Sequence, residues 1–253
     1  MVKSRSTSGE SRDAYFLSGW CNSPWKRALD IVGAISLLIL SLPIMVLVAL
    51  AVKLTSKGPV LFRQRRPGRN GREFGILKFR TMLNVRQDSG PVLTRADDPR
   101  VTPLGRYLRK WKLDELPQLF NVLGGTMSFV GPRPQPTKLW IEPSIQEEAS
   151  YVLSVRPGIT SDATLHFRNE EELLAPLGSE EVEDVYLRTI MPVKLKMELE
   201  YLRNASLAGD LTIALTTILR ILHPRELENQ LSVTVHVQPA EPKKLRAAAG
   251  EGN

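Results

Sequence analysis

Asp114 and Glu115 stand side by side in Trp111-Lys-Leu-Asp-Glu-Leu-Pro-Gln118. Two adjacent carboxylates can jointly hold a divalent cation such as Mg²⁺, whose charge removes the repulsion that otherwise forces one of them to protonate. One of them can also attack phosphorus as a nucleophile. Their setting favours phosphate chemistry. From Lys53 to Lys112 the chain carries sixteen Lys and Arg against four acids, in a protein of net charge +7. A cationic excess this local marks a surface that binds something anionic.

The elements around the pair follow from local pattern. Pro59-Val-Leu-Phe-Arg-Gln-Arg-Arg66 and Arg72-Glu-Phe-Gly-Ile-Leu-Lys-Phe-Arg-Thr81 read as two antiparallel strands. The turn Pro67-Gly-Arg-Asn-Gly71 between them is rich in residues that accept positive φ. Alternation gives Phe74, Ile76, Lys78 and Arg80 one parity. Either that face is a solvated basic surface, or Lys78 and Arg80 project into a phosphate site, where Arg is the better bidentate partner. Thr102 as a cap and Pro103 as the first helical residue predict a short helix through Trp111 that brings Arg106, Arg109 and Lys110 towards the carboxylates. A second helix is expected to begin at the pair, with Asp114 as N-cap and Glu115 in the first turn, and to end at Gly124-Gly125. Capping and catalysis are compatible roles. Downstream, Pro132-Arg133-Pro134 is a stiff turn that fixes one guanidinium, and Val155-Arg156-Pro-Gly-Ile-Thr160 is another Arg-bearing turn.

One apolar run, Ile31 to Val52, is twenty-two residues without a charge. It is long enough to span a bilayer. Pro43 lies near its middle, where the missing N–H and the ring clash break or kink a helix, and Ser41 can bond the freed carbonyls. Cations flank both ends, Lys26 and Arg27 before and Lys53 and Lys57 after, so the positive-inside rule selects no orientation. A helix that enters and leaves on the same face satisfies both ends and leaves the basic surface against anionic lipid head groups.

Composition bounds the rest. A single cysteine, Cys21, excludes an intramolecular disulfide, and three scattered histidines offer no zinc spacing. No nucleic-acid-binding module or interleaved aromatic pattern accompanies the basic stretch, which argues against a nucleic-acid partner. The expected fold is α+β: a mostly helical catalytic domain with a small antiparallel hairpin, behind an N-terminal membrane helix. Residues 1–25 are expected as a flexible tail, 26–55 as the re-entrant helix, 56–228 as the catalytic domain and 229–253 as a second tail. Helices over Pro192 to Asn204 and Leu207 to Leu222 close that domain, the latter packed on the core or lying on the membrane. Glu170-Glu-Glu172 and the acids near 180 read as a solvated face.

Taken in order, these motifs resemble a known family. Lys26-Arg27, the apolar run with Pro43, Gly58-Pro-Val-Leu-Phe-Arg-Gln64, Lys78-Phe-Arg-Thr-Met82, Asp98-Pro-Arg-Val-Thr102, Leu113-Asp-Glu-Leu-Pro-Gln-Leu119, Met127-Ser-Phe-Val-Gly-Pro-Arg-Pro134 and Arg156-Pro-Gly-Ile-Thr160 are similar to those of bacterial sugar transferases, the monotopic phosphoglycosyl transferases. The resemblance covers roughly residues 26 to 222. It implies that Asp114 attacks the phosphate of a UDP-sugar, that UMP leaves, and that polyprenol (undecaprenyl) phosphate then takes the sugar phosphate. It implies Mg²⁺ as cofactor, with Asp114 and Glu115 at the metal and Glu115 credited with metal binding or with the acceptor's proton. Lys78, Arg80 and Arg109 become the candidates for offsetting phosphate charge, and Pro132, Arg133 and Pro134 for the nucleotide. The implied location is the bacterial inner membrane with the catalytic domain on its cytoplasmic face, membrane lipids being partners, at the first membrane step of surface polysaccharide synthesis. Three departures stand out. Lys112 replaces a common Ser or Thr, Ser41-Leu42-Pro43 separates a Ser and Pro that some members place together, and residues 161–169 replace a Gly-x-x-Gln continuation. That last loop, with Arg156 and Arg168, is the candidate for sugar specificity. A membrane-tethered metal-dependent sugar-nucleotide hydrolase is the alternative reading, and the sugar, the glycan pathway and any homo-oligomer stay open.

Overall fold

A computed structural model describes residues 17–83, 93–96, 98–140, 145–178 and 181–222. The C-terminal tail expected over 229–253, most of the N-terminal one, and His223 and His236 lie outside the described residues. The part of the N-terminal segment that is described is packed. Gly19–Asn22 form a 3₁₀ turn, Ser18 Oγ donates to the Ala205 carbonyl at 2.6 Å, and Trp20 Nε1 donates to Asp210 at 2.8 Å. The boundary expected at residue 25 therefore moves towards the N-terminus.

The apolar run is one long helix, α1 (Pro24–Thr55), started by Ser23, whose side chain accepts from the Lys26 N–H, and by Pro24 at the first helical position. It is helical through Pro43. Ser41 Oγ donates to the Leu37 carbonyl at 2.6 Å, one turn back on the stretch that Pro43 disturbs. One side of α1 is docked. Ala34 joins Phe74, Ile76, Val122 and Met127 in one apolar cluster, and Met45, Val48 and Val52 join Phe79 and Leu108 in another. The other side presents Leu29, Val32, Ile39, Leu40, Leu47 and Leu54 outward.

The hairpin forms as the alternation requires. β1 (Leu61–Pro67) and β2 (Glu73–Phe79) pair antiparallel with Phe62 opposite Lys78 and Gln64 opposite Ile76. Asn70 at φ 57° and Gly71 at φ 71° turn the chain. α2 (Pro103–Lys110) begins with Thr102 accepting from the Gly105 N–H, as its sequence predicts. α3 (Gln118–Leu123) ends at Gly124, and Gly125 takes φ 76°.

A second, unexpected sheet follows. β3 (Ser128–Val130) and β4 (Gly158–Thr160) pair in parallel. A three-residue strand offers too few positions for alternation to be read. The pairing depends on close backbone approach, since a Cβ on Gly158 would lie 2.3 Å from the Gly131 nitrogen. Short helices α4 (Gln146–Val152), α5 (Asp162–His166), α6 (Glu170–Leu174) and α7 (Glu181–Val185) precede α8 (Met191–Asn204) and α9 (Leu207–Leu222). The segment read as a loop over 161–169 is thus largely α5, capped by Ser161 accepting from Thr164 N–H. Leu139, Tyr186, Ile190, Leu195 and Leu202 centre the main apolar core beneath α8. On α9, Leu211, Leu215, Ile218 and Leu222 remain exposed.

Candidate active site

Asp114 and Glu115 lie in a 3₁₀ turn, Leu113–Glu115, rather than at a helix start. Lys112 enters that turn with φ 55°, a left-handed conformation costly for a side chain other than Gly, Asn or Asp. The expected N-cap role of Asp114 is not realised: α3 begins at Gln118, behind Pro117. Freed from capping, Asp114 Oδ1 is buried with no hydrogen-bond partner. An orphaned buried acceptor is costly, and this one lies within the field of Lys78, Lys112 and Arg109.

Glu115 has the opposite surroundings. Its Oε1 accepts from Lys78 Nζ at 2.9 Å and from Arg133 Nη2, and its Oε2 accepts from Arg133 Nη1 at 3.2 Å. Lys78 arrives from β2, and Arg133 from the turn after β3. Arg133 Nη1 also donates to the Ile159 carbonyl at 3.0 Å, which ties the fork to β4. The two carboxyls are consequently pushed apart in acidity. Burial raises the Asp114 carboxyl, against the pull of Lys78. Burial alone would raise Glu115 too, but Arg133 and then Lys78 hold it well below the usual carboxylate range. Burial lowers the Lys78 ammonium, partly offset by Glu115. Neighbouring acids whose environments separate them in this way are a mark of acid, base or nucleophile assignment.

These groups line one cleft of about 1140 Å³, together with Arg66, Arg80, Arg109, Lys112 and Lys138. The sequence candidates divide within it. Lys78, Asp114, Glu115 and Arg133 come together at its centre. Arg109 lines the wall and pairs with Glu171 of α6, so the acidic run is not merely a solvated face. Glu170, next to it, pairs with Lys194. Arg80 reaches the same wall, but its guanidinium donates to the Pro59 carbonyl, to Ser56 O at 2.7 Å and to Ser56 Oγ at 2.8 Å. It closes the C-terminal end of α1, as cations there commonly do. Pro132 accepts from the Gly158 N–H at 2.9 Å and Pro134 from Arg66 Nη1 at 3.3 Å, so the Pro-Arg-Pro turn is pinned on both sides.

The remaining candidates lie outside the cleft. Arg156 Nε donates to Gly125 O at 3.0 Å, and Arg168 Nη1 donates to the Arg220 carbonyl. Lys26 pairs with Asp210 of α9. Arg27 caps α3 through the Val122 carbonyl at 2.6 Å and the Leu123 carbonyl at 2.9 Å. Arg66 also lines the cleft and is not among the residues singled out from sequence, although it shares the parity of Lys78's strand partner. Asn121, whose Oδ1 accepts from Leu77 N–H at 2.9 Å and whose Nδ2 donates to Gly75 O at 2.8 Å, joins β2 to α3.

Among the described residues no group of three or more His, Cys, Asp and Glu could hold a metal. Mg²⁺, however, is commonly bound by one or two carboxylates with substrate phosphates and water completing the shell. Asp114, with its unpartnered oxygen, fits that incomplete shell. Glu115 lies beside it with both oxygens engaged by cations.

The profile of the bacterial sugar transferase family matches residues 21–224. Among curated relatives, a UDP-glucose:undecaprenyl-phosphate glucose-1-phosphate transferase of Escherichia coli K12 is 40% identical over 207 residues, covering 81% of this chain and 41% of the relative. One of the same name from Caulobacter vibrioides is 42% identical, covering 78% and 69%. A UDP-N-acetylgalactosamine-undecaprenyl-phosphate N-acetylgalactosaminephosphotransferase of Aeromonas hydrophila is 36% identical, covering 78% and 43%. The match to a Komagataeibacter xylinus undecaprenyl-phosphate glucose phosphotransferase covers 36% of that protein, so the chain spans well under half the length of several of these relatives.

Proposed function

The chain belongs to the bacterial sugar transferase family, and from that premise we propose that it transfers a sugar 1-phosphate from a UDP-sugar to polyprenol (undecaprenyl) phosphate. One observation carries the proposal: a buried carboxylate with an unpartnered oxygen, Asp114, beside Lys78, Lys112 and Arg109, in a large cationic cleft next to an outward-facing apolar helix.

In the proposed reaction an Asp114 oxygen attacks the phosphorus that bears the sugar. The bond from that phosphorus to the bridging oxygen breaks, and UMP leaves with the bridging oxygen. A terminal oxygen of the polyprenol phosphate then attacks the same phosphorus and Asp114 returns as a carboxylate, with no net proton change. Catalysis of this kind rests on positioning and on fixed positive charge near the phosphoryl oxygens. Lys78 and Arg133, held by Glu115, and Arg109 and Lys112 on the walls supply that charge. Bound Mg²⁺, held by Asp114 with Glu115 alongside, would neutralise the diphosphate.

The family's monotopic topology is supported by where α1 rests. Its 32 residues correspond to about 48 Å of helix. Its beginning holds α3 through Arg27 and α9 through Lys26, and its end is held by Arg80 of the hairpin. Since Asn121 joins the hairpin to α3, both ends of the helix sit on one body, which supports entry and exit on the same face of the membrane. The exposed Leu211, Leu215, Ile218 and Leu222 of α9 support a second contact with lipid. We place that face at the cytoplasmic side of the bacterial inner membrane.

The protein in lipid, given UDP-glucose or UDP-N-acetylgalactosamine, polyprenol phosphate and Mg²⁺, is expected to turn over only when donor and acceptor are both present, donor alone releasing no more UMP than there is Asp114 to capture the sugar phosphate. Equal sustained turnover without acceptor identifies a hydrolase instead, and no release with a full panel of UDP-sugars abandons the reading. The relatives named for glucose make UDP-glucose the first donor to try.

A further inference from the structure

Behind the Arg133 fork lies a carboxyl that the reaction above does not use. Glu198 of α8 is buried. Its Oε1 accepts from Ser161 Oγ at 2.7 Å and from the main-chain N–H of Arg133 at 3.3 Å. Its Oε2 is buried with no partner. A buried acid is expensive unless it does something for the structure around it. What Glu198 touches is the backbone of Arg133, whose guanidinium, with Lys78, grips Glu115 next to Asp114.

We propose that Glu198 is a positioning residue for the transfer reaction: it fixes the main chain at Arg133, and through it the guanidinium that Glu115 holds, with Lys78, towards the phosphate. The inference rests on the transferase reading. The Pro-Arg-Pro turn has a small-sheet hydrogen bond at Pro132 and an Arg66 contact at Pro134, but its central N–H finds its acceptor only in Glu198. Pro132 and Pro134 have no N–H to give, so this one donor sets how the turn rotates about its flanks. A small rotation there swings the guanidinium, at the far end of a long side chain, by much more. Ser161, which caps α5, holds the same carboxyl oxygen, so the segment that departs from the family pattern after Thr160 is wired to the fork through Glu198.

The charge of Glu198 is dispensable to this role. Burial pushes its carboxyl up to about 7, opposed by the Ser161 and Arg133 hydrogen bonds and then by Lys194, and reinforced by Asp162. A neutral acceptor of the same shape therefore serves near neutral pH, and Gln provides one. A residue that merely filled space would not distinguish Gln from a hydrocarbon of similar size, nor would its loss depend on what stands at position 133.

The test is a double-mutant cycle on the full-length protein in lipid, read as kcat/KM for donor-dependent UMP release. Glu198→Met is expected to lose about 10- to 100-fold, the scale on which small misplacements act, and Glu198→Gln to restore most of it. In an Arg133→Ala background Glu198→Met is expected to cost nothing further. Equal losses for Met with and without Arg133, or a Gln variant as poor as Met, overturn the proposal. If Glu198→Met does not fold, Ser161→Ala, which releases the carboxyl, is read in the same cycle with the same criteria. Wild-type turnover is the control that separates the two readings: its absence for every donor removes the transferase assignment, whereas turnover with an additive cycle removes the role of Glu198 alone.

Discussion

Arg133 grips Glu115 with both ends of its guanidinium, Nη1 lying 3.2 Å from Oε2 while Nη2 meets Oε1. Lys78 shares the second oxygen at 2.9 Å. A carboxylate held by two cations is a scaffold for those cations as much as a reactant. Its neighbour Asp114 is left as the acid with an uncommitted oxygen.

Glu115→Gln is expected to leave Lys78 and Arg133 facing each other without their counter-charge. Breaking a buried pair from one side costs about 3–5 kcal/mol. The wild-type Glu115 carboxyl sits below its ordinary value of 4.5, so its contribution to stability is complete above that value and is lost as pH falls through the depressed one. Thermal melting from pH 7 down to about pH 3 is expected to show this acid-labile component in the wild type and not in Glu115→Gln. Parallel curves would assign Glu115 no such share.

Asp114 carries the opposite sign. Its carboxyl is raised by burial, so folding opposes its ionisation, and stability falls as pH rises through the raised value. Asp114→Asn is therefore expected to melt higher than wild type at neutral pH while losing all capture of sugar phosphate. Thermal melting checks the first half, and intact-mass measurement after incubation with a UDP-sugar checks the second. An adduct on the Asn variant would remove Asp114 as nucleophile. Wild-type turnover is expected to decline on the acid side at a pH above that of an ordinary Asp.

Lys112 combines a cleft-lining cation with a left-handed backbone at φ 55°. Asn tolerates that conformation better than Lys. Lys112→Asn is expected to hold or raise stability by up to about 1 kcal/mol, and to lower kcat/KM for the donor roughly tenfold through the lost charge. Denaturant unfolding and UMP release measure the two effects separately. Loss of stability with unchanged turnover would show Lys112 to be structural only.

Topology is checked by cysteine labelling, for which the buried Cys21 is a quiet background. Ser4→Cys and Lys57→Cys flank α1, and both are expected to react with a membrane-impermeant reagent from the cytosolic side alone. Reaction of one from each side would make α1 a spanning helix.

The elements most legible in the sequence were those with a strong local signal. The hairpin followed from alternation and its Gly-Asn turn, α2 from Thr102-Pro103, and α8 and α9 from their apolar spacing. Asp114 misled as a cap because Lys112 turns the chain left-handed and Leu113–Glu115 close a 3₁₀ turn, which postpones α3 past Pro117. Arg80 has the parity of a cleft residue, yet its long side chain is captured by the carbonyls ending α1. Such capture depends on an element some 25 residues earlier, beyond any local window. Glu170 and Glu171 looked solvated for the same reason, since Lys194 and Arg109 reach them only in the folded chain. Glu198 gave no sign at all: one acid on a helix acquires meaning only from the turn it faces.

α1 gives Ala34 to one apolar cluster and Met45, Val48 and Val52 to another, so it is a wall of the enzyme and not a leash. Biogenesis is constrained accordingly. The helix is synthesised before the hairpin, α2 and α3 on which it packs, and its docked side must wait uncovered until they arrive. On the proposed membrane placement, insertion and completion of the fold are coupled stages of one assembly, and a fragment trimmed of α1 to gain solubility would lose Ala34 from one apolar cluster and Met45, Val48 and Val52 from another.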